Sequence, residues 1–511
     1  MVSYSSLCIY WRWPKGLRKA QLVSVLCAGF LIQLSLGSLY TYGNLAPYIV
    51  SYVRERSHPT SLRYTDATFV FASQIAGQGL SMAFGGFLEK RFGPRLVSLF
   101  GGWFMSLGVL LTYFSIQKSF WLLLLTYGFM FGLGIGIAYI GPISCAMRWL
   151  PKWKGIATGI VVSGFGLSAL FFDTIESEYI NPHNKNPDVA PFKDYPKEKY
   201  FSQPDVIDRV PSVFLVLGSL FAFIQILGAI FLVNPAPSDD IVVEYHQSAN
   251  CEEKSSFVKD NSKEQKESKE ILASPIEDSA PKTADKYSNK MTKTDDTCEK
   301  NNDKGADSSP DSFKANVISL FKRPEFYVLW LMFFCIGIIC TFTASLYKSF
   351  GFEIVTSDDT LLSLMGAIAA IFNCLGRIIW GLTADLTDYN FAFVLQGSLM
   401  IFLISNLFSA GFAGKGMFFV WVCAIFFCIG GYFSLFPSIS TSLFGSKYSS
   451  MNYGFLFTAN AVGSLTGAFI SQWLVRLLEW YGVFFLLSGI HGTQLALSFF
   501  LCYIMQQRKK K

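Results

Sequence analysis

The stretch FNCLGRIIWGLTAD, Phe372 to Asp385, carries one arginine inside an apolar run and ends on small residues and an aspartate. Arg377 lies eight residues before Asp385, which is about 12 Å along a helix at 1.5 Å per residue. An arginine at the middle of a membrane-spanning helix costs roughly 2.5–3.5 kcal/mol on insertion scales, and its guanidinium does not lose its proton. The stretch therefore predicts a membrane-spanning helix that holds one buried cation.

The composition of the chain is typical of a membrane protein. Of 511 residues, 51% are hydrophobic and 15% are charged, whereas soluble domains carry about 25% charged residues. The apolar residues form repeated runs of about 20, the length at which a helix spans a bilayer. We predict twelve spans, at residues 20–48, 67–88, 95–116, 120–147, 154–173, 211–233, 325–349, 361–383, 390–411, 416–440, 452–474 and 481–505.

The basic residues predict an orientation in the membrane rather than a nucleic-acid partner. The net charge of +6 arises from clusters in short loops, and these fall on one side of the membrane when the spans alternate. The positive-inside rule assigns that side to the cytosol. We therefore expect both termini in the cytosol, most simply at the plasma membrane, and no nucleic-acid partner. The clusters are Arg12–Lys19, Lys90–Arg95, Arg148–Lys154 and Lys509–Lys511.

Two polar interruptions divide the chain. Residues 174–210 are polar and contain prolines, and we predict a non-cytosolic loop there. Residues 234–324 are rich in Lys, Glu, Asp and Ser and cannot bury enough apolar surface to offset their ordering entropy, which predicts a disordered cytosolic loop. Two bundles that rock against each other about a central site fit this division. The remaining segments are a cytosolic N-terminal segment 1–19, bundles 20–233 and 325–505, and a basic cytosolic tail 506–511.

Residues that carry enzyme or cofactor chemistry are not evident. The 11 cysteines are scattered, and no pair has zinc-ligand or redox spacing. The spans contain no paired carboxylates, no metal-ligand cluster and no activated nucleophile. The first apolar run is too long for the core of a signal peptide and is interpreted as an anchor. We therefore expect no enzyme activity, no metal and no cofactor.

A short pattern recurs at matching positions of the two halves. GGFLEKRFGPR, Gly85 to Arg95, follows the second span, and WGLTADLTD, Trp380 to Asp388, follows the eighth. Glycine near a helix end lets a neighbouring helix approach closely, and the charges can pair across the bundle interface when that side is closed. We predict a cytosolic gate formed by Gly86, Glu89, Arg91, Arg95, Gly381 and Asp385.

These loops resemble the signature of the major facilitator superfamily, although Lys90 stands where the signature has an aspartate and Glu89 lies one place earlier. Within the superfamily, the chain is similar to the oxalate/formate antiporter and monocarboxylate transporter branch. Residues 132–170, including the RWLP exit of the fourth helix, resemble its fourth and fifth helices, 430–464 its tenth and eleventh, and GRIIWGLTAD its eighth. The resemblance implies an all-α membrane protein with twelve transmembrane helices in two six-helix bundles.

Arg377 has three possible surroundings. Its side chain could extend to the cytosolic surface, or it could pair with an intramembrane acid, although no Asp or Glu sits inside a predicted span. It could instead line a water-filled cavity and meet an anion supplied from outside. We favour the third interpretation because a planar guanidinium matches a carboxylate through two parallel hydrogen bonds.

The resemblance supports an anion site. In the oxalate/formate branch an arginine at the position of Arg377 binds the substrate carboxylate together with a lysine, and Asn460 stands at the position of that lysine. One fixed positive charge favours a substrate with one carboxylate. Asn373 stands where monocarboxylate transporters commonly have a proton-coupling acid. His491 titrates in the ordinary range but is interpreted as structural, so facilitated diffusion or exchange is favoured and coupling through a loop carboxylate stays open.

The walls of the cavity should be largely aromatic, because ligand pockets are mostly apolar with a few placed polar groups. The match to the family's pocket positions implies Tyr139, Phe433 and Phe457. Polarity alone adds further candidates, which are Tyr40, Tyr42, Gln74 and Gln78.

Together these features predict a membrane transporter for a small organic monocarboxylate, from lactate- and pyruvate-like acids to pantothenate-like ones. The substrate carboxylate would dock on Arg377, and the carrier would work by alternating access as a monomeric transport unit. Its partners would be the organic anion, the lipid bilayer and, in a coupled mode, a co-transported or exchanged ion. The alternative is a transporter-like receptor that binds a solute and signals through the central cytosolic loop.

Overall fold

Long helices make up most of the chain. The computed structural model describes residues 18–191, 199–235, 310–356 and 359–510. Within these ranges the long helices number twelve when the run Ser449–Lys510 is divided at Glu479, whose φ of 55° interrupts it. They are α1 (Arg18–Arg56), α2 (Tyr64–Phe92), α3 (Pro94–Ser115), α4 (Phe120–Trp149), α5 (Lys154–Ile180), α6 (Val210–Phe231), α7 (Pro324–Phe350), α8 (Asp359–Leu386), α9 (Tyr389–Ser405), α10 (Ala410–Phe444), α11 (449–478) and α12 (480–510).

The helices have the length and composition of membrane spans. In the part of the chain that the structure describes, ten of them are long and apolar enough to cross a bilayer, and α9 is apolar but shorter. α2 has 29 residues and carries buried polar side chains, among them Gln74, Gln78 and Glu89. The prediction of an all-α, multi-pass membrane protein is confirmed by this architecture.

The predicted non-cytosolic loop begins too early. We expected the fifth span to end at residue 173, but α5 continues to Ile180. Hydrogen bonds that join Glu176 to Thr41 and Asn44 of α1 stabilise the additional turns of α5. An acidic residue, Glu176, therefore lies inside this helix, among residues that the sequence analysis assigned to the loop.

The predicted disordered segment 234–324 ends too late. A helix, Pro310–Phe321, lies inside it. Its last residue packs against Phe326 and Phe455 at ring-centroid distances of 5.0 and 5.6 Å, so apolar contacts order this stretch. Residues 236–309, which carry the rest of that prediction, and residues 1–17 lie outside the described ranges.

The described residues of 18–235 and 319–510 belong to one compact unit. Within this unit, α5 of the N-terminal half packs against α8 of the C-terminal half, and α2 packs against α11. These two contacts join the halves. We call the end that carries Glu89 and Asp385 the gate end, and the end that carries residues 181–209 the loop end.

α1 contains an irregular segment that matters for the site. Residues Gly37–Thr41 form a 3-10 turn between two α-helical stretches. The hydroxyls of Ser35, Ser38 and Thr41 lie 2.7–2.9 Å from the carbonyl oxygens three residues earlier. Such back-bonding by Ser and Thr competes with regular helix hydrogen bonds and bends helices. In this segment Tyr40 and Thr41 contact Phe165 and Glu176 of α5, respectively.

Candidate functional site

Arg377 lies in the middle of α8 and points into the protein. Only 1% of its surface is exposed. Its Nε donates a hydrogen bond to Oδ1 of Asn373, one turn earlier, and its Nη1 donates to the carbonyl oxygen of Val162 on α5, both at 3.1 Å. The Nη2 group is buried and has no hydrogen-bond partner among the described residues. The side chain therefore bridges the two halves.

The charge of Arg377 has no protein counterion in the described ranges. None of the ion pairs between described residues includes it. Its nearest hydrogen-bond acceptors, an amide and a backbone carbonyl, are both neutral. The guanidinium also does not extend along α8 toward the gate end, because it donates across to α5. Neutral acceptors of this kind orient a cation without cancelling its charge.

A glycine on α5 makes room for this arrangement. A Cβ atom at Gly166 would lie 2.7 Å from Oδ1 of Asn373 and 2.9 Å from Nε of Arg377, which is closer than real Cβ contacts allow. Sequence reasoning did not single out this position. The signal was present, since the segment GIVVSGFGLSAL spaces small residues along one helix.

Aromatic rings cover the guanidinium. Its Cζ lies 5.1 Å from the ring centroid of Phe433 on α10 and 5.7 Å from that of Phe165 on α5, within the range of cation–π attraction. Tyr40 packs edge-on against Phe165 at 5.3 Å and keeps 38% of its surface exposed, so its ring borders open space beside the site. Sequence reasoning missed Phe165.

The other predicted aromatic residues join the same cluster. The ring of Tyr139 on α4 lies 5.5 Å from Phe165 and 6.0 Å from Phe457 on α11. Tyr139 is close enough to Arg377 to interact with its charge. Tyr453, which sequence reasoning missed, stacks against Tyr139 at 6.5 Å, and its hydroxyl is buried without a partner among the described residues. The cluster thus draws on helices of both halves.

Asn460 lies three residues after Phe457 on α11. It is 6% exposed, and its Oδ1 is buried without a hydrogen-bond partner among the described residues. Its backbone carbonyl faces Gly337 of α7 closely. The structure therefore places Asn460 beside the aromatic cluster, and no hydrogen bond between described residues links it to Arg377.

Three of the four candidates chosen on polarity alone, Tyr42, Gln74 and Gln78, serve packing. The hydroxyl of Tyr42 donates to the carbonyl oxygen of Ala67 on α2, which fastens α1 to α2. The amide of Gln74 donates to the carbonyl oxygen of Tyr127 at 2.9 Å, which fastens α2 to α4. Gln78 is buried in α2. None of these side chains makes a described hydrogen bond to Arg377.

His491 lies in α12, away from the cluster around Arg377. It is fully buried, and both ring nitrogens lack hydrogen-bond partners among the described residues. Its ring stacks near Tyr432 at 6.4 Å, inside the C-terminal half. The described residues contain no group of three His, Cys, Asp or Glu side chains that could hold a metal ion.

Asp385 joins the two halves at the gate end. Its carboxylate accepts hydrogen bonds from the backbone N–H groups of Gly155 and Ile156, at 2.8 and 2.7 Å, at the start of α5. A carboxylate at a helix N-terminus is favoured by the unpaired N–H groups and by the helix dipole. The backbones of Gly155 and Gly381 meet so closely that neither position has space for a Cβ atom.

Glu89 makes the second junction at the gate end. It is 2% exposed and pairs with Arg148 at 2.7 Å within the N-terminal half. Its other oxygen accepts a hydrogen bond from Ser450 of α11 at 3.0 Å. Gly86 lies against the backbone of Ser450, and the Nζ of Lys90 lies 3.2 Å from the ring centroid of Tyr448. The gate end is therefore closed in this structure.

The two other predicted gate residues make different contacts. Arg95 donates to the carbonyl oxygens of Ile230 and Leu232, at 2.8 and 3.3 Å, and so fastens α3 to the end of α6. Arg91 is exposed, with its Cζ 5.5 Å from the ring centroid of Phe92. Both sets of contacts lie within the N-terminal half, unlike those of Glu89 and Asp385.

Comparison with known proteins gives a consistent result. The family model described as Major Facilitator Superfamily matches residues 25–468. The chain is 29% identical over 485 residues to the apicoplast pyruvate carrier 1 of Toxoplasma gondii, covering 87% of this chain and 82% of that protein. It is 24% identical to the oxalate:formate antiporter of Oxalobacter formigenes, covering 86% and 82%. The crystal structure of the E. coli fucose:proton symporter FucP superposes with a TM-score of 0.61 at 13% identity, covering 93% of this chain and 97% of that one.

Proposed function

Because the chain belongs to the major facilitator superfamily, and is therefore a multi-pass membrane transporter rather than an enzyme, we propose that it carries a small organic monocarboxylate by alternating access. The carboxylate of the substrate docks on Arg377. The relatives support this substrate class, since their names describe carriers of pyruvate and of oxalate and formate. Pyruvate is the first candidate, because the pyruvate carrier aligns over most of both chains.

The buried guanidinium of Arg377 carries this proposal. A charge removed from water without a counterion costs several kcal/mol even after relaxation, so the site is stabilised by any anion that can enter. The Nη2 group makes no hydrogen bond of good geometry to a described residue, and the hydroxyls of Tyr40 and Tyr139 lie near the guanidinium. A substrate carboxylate would supply both the negative charge and an acceptor for Nη2.

The surroundings favour one carboxylate on the substrate. The residue at the position of the family's lysine is the neutral Asn460. The walls are the rings of Phe165, Phe433, Tyr139 and Phe457. A second carboxylate would enter this apolar space without a cationic partner, and burying an unpaired charge is costly.

The burial of Arg377 and the contacts at the gate end support alternating access. Only 1% of Arg377 is accessible, so an anion reaches it only when neighbouring side chains move apart. The contacts of Glu89 and Asp385 hold the gate end closed, which leaves the loop end as the side from which the site opens. Release on the other side then requires those contacts to break.

Orientation and location belong to the same proposal. The positive-inside rule assigns the gate end and both termini to the cytosol, and we assign the protein to the plasma membrane. The transport unit in this proposal is a monomer. Protease protection of tagged termini and imaging of the tagged protein test orientation and membrane; signal from an organelle membrane contradicts the location alone.

The experiment that tests the function is uptake into proteoliposomes. Labelled pyruvate, lactate and pantothenate are supplied with and without a pH gradient. We expect Arg377→Ala to abolish uptake, because the only buried cation of the site is lost, and Arg377→Lys to retain a fraction. Arg209→Ala, which removes an exposed loop arginine, is the matched control.

Unchanged uptake in Arg377→Ala would remove the anion site from consideration. Binding of a monocarboxylate by the wild-type protein without net movement would instead support the receptor alternative.

A further inference from the structure

Glu176 is a buried carboxylate outside the substrate site. It lies in the last turns of α5 and is 0% exposed. It is ten residues beyond Gly166, which is about 15 Å along the helix toward the loop end. It therefore touches neither Arg377 nor the gate, and the proposed transport cycle does not yet use it.

The partners of Glu176 are all neutral or acidic. Its Oε1 lies 2.7 Å from the hydroxyl of Thr41, and its Oε2 accepts a hydrogen bond from Nδ2 of Asn44 at 3.0 Å. The ionisable groups that face it among the described residues are Asp173 on its own helix, Tyr48 on α1 and Tyr127 on α4. α6 packs a phenylalanine against this part of α5.

No described lysine, arginine or histidine forms an ion pair with Glu176. An ionised carboxylate in these surroundings would be a buried charge without compensation. Such charges are avoided in proteins by pairing or by neutralisation. The neutral acid is the form that fits the observed surroundings.

The hydrogen bonds of Thr41 lead to the same form. Its hydroxyl lies 2.9 Å from the carbonyl oxygen of Ser38 and 2.7 Å from Oε1 of Glu176. A hydroxyl has one proton to donate, and a carbonyl oxygen can only accept it. When Thr41 donates to Ser38, as the other hydroxyls of this segment do, Glu176 must donate to Thr41. A protonated carboxyl satisfies every one of these bonds.

We propose that Glu176 is a proton-binding site that couples transport to a proton. The inference rests on the proposed carrier function and adds the coupling ion to it. In the proton-bound form, Glu176 donates to Thr41, and Thr41 donates to Ser38. When Glu176 releases its proton to water, its carboxylate accepts a hydrogen bond from the Thr41 hydroxyl. The hydrogen bond from Thr41 to Ser38 then breaks.

This exchange of hydrogen bonds reaches the substrate site through α1. Thr41 ends the 3-10 segment Gly37–Thr41, and the residue before it, Tyr40, packs against Phe165 beside the guanidinium. Loss of the Ser38 bond loosens that segment and the ring that it positions. One proton moved with one monocarboxylate carries no net charge, so the membrane potential would not oppose the coupled step.

Infrared difference spectroscopy tests the protonation directly. The purified full-length protein in detergent is titrated from neutral to alkaline pH, and the carbonyl band of a protonated carboxyl is followed. We expect Glu176→Gln to lack one such band that the wild type and Glu178→Gln both show. Glu178 is an exposed residue two positions away on the same helix and is the matched control. Identical spectra for wild type and Glu176→Gln would overturn the proposal.

Uptake of labelled pyruvate into proteoliposomes tests the coupling. We expect an inward proton gradient to raise uptake severalfold in wild type and Glu178→Gln. In Glu176→Gln the gradient should have no effect, while exchange without a gradient continues. Gradient stimulation that persists in Glu176→Gln would overturn the coupling role.

Two further variants distinguish a failure of the proton-coupling proposal from a failure of the proposed carrier function. Thr41→Val keeps the acid but removes the hydroxyl, so gradient stimulation should weaken even where Glu176→Gln does not fold. Full gradient stimulation in Thr41→Val would contradict the proposed exchange of bonds. Arg377→Ala should lose uptake and keep the infrared band. Wild-type protein that takes up no monocarboxylate counts against the carrier function, while the infrared band still decides whether Glu176 holds a proton.

Discussion

Asn373 fixes the orientation of the Arg377 guanidinium. Its Oδ1 accepts from Nε of Arg377, and its Nδ2 donates to the carbonyl oxygen of Phe426 on α10 at 3.0 Å. The amide is therefore held from both sides and cannot rotate freely. It orients the guanidinium while it leaves the positive charge intact. A carboxylate at the same position would orient the guanidinium equally well but would also neutralise it.

Asn373→Asp should weaken substrate binding. The new carboxylate, 3.1 Å from Nε in the geometry of the amide, would form an internal ion pair that competes with the substrate. We expect the KM for the monocarboxylate to rise about tenfold, which corresponds to about 1.4 kcal/mol. Uptake kinetics in proteoliposomes measure this change. Asn390→Asp is the control, because Asn390 lies at the start of α9 and bonds to Asp388 and Met505 rather than to Arg377. An unchanged KM in Asn373→Asp would contradict the role of the amide.

The packing of α5 on α8 determines whether the site can form. Both helices place small residues at the contact, with Gly155 against Gly381 near the gate end and Gly166 against the side chains of Asn373 and Arg377. Small residues allow close approach of helices in membranes, where van der Waals packing rather than the hydrophobic effect holds them together. The bond from Arg377 to Val162 needs this close approach.

Gly166→Ala should reduce uptake strongly and leave the fold intact. The added methyl group would stand 2.7 Å from Oδ1 of Asn373 and 2.9 Å from Nε of Arg377, so the guanidinium must move. We expect at least an order-of-magnitude loss in uptake, of the size that small displacements cause in active sites. Gly43→Ala is the control, because its Cβ would meet open space. Equal uptake by both variants, with equal melting temperatures, would contradict this account.

The two halves of the transporter are in contact at the gate end. Glu89 and Asp385 each reach the opposite half, through Ser450 and through the start of α5. Asp385 is eight residues from Arg377, which is about 12 Å along α8. Any state that opens the gate end must break them, so their strength sets how often the protein visits that state.

Glu89→Gln should favour opening of the gate end. The variant replaces the carboxylate that accepts the hydrogen bond from Ser450 of the opposite half by a neutral amide, and a hydrogen bond to a neutral acceptor is weaker than one to a charged acceptor. A cysteine introduced at Ser438, which is buried and bonds to α5 across the interface, should then react severalfold faster with a water-soluble thiol reagent. Labelling is quantified by mass spectrometry to distinguish it from the native thiols.

The control for this measurement is Asp205→Asn. It removes an exposed ion pair to Lys185 in the loop between α5 and α6, and exposed pairs contribute little to stability. Equal labelling rates in Glu89→Gln and wild type would show that the Glu89 contacts do not hold the gate.

The sequence alone predicted the class of the molecule correctly. The lengths of the apolar runs predicted the membrane spans, because a helix must be about 20 residues long to cross the bilayer. The repeated loop motifs and the segments around residues 132–170 and 430–464 indicated the superfamily, which the family match confirmed. The depth of Arg377 followed from its distance to Asp385. All of these are local properties of the chain.

The tertiary structure decided which side chains meet. Val162 and Arg377 are 215 positions apart, and Glu89 and Ser450 are 361 apart, so no local pattern could pair them. Gly166 matters because the side chain of Arg377, on another helix, lies against it. The sequence analysis assigned Glu176 to a loop, and only the packing of α1 on α5 gave it the partners Thr41 and Asn44. Composition fixes which segments enter the membrane, whereas the direction of each side chain depends on the helix that packs against it.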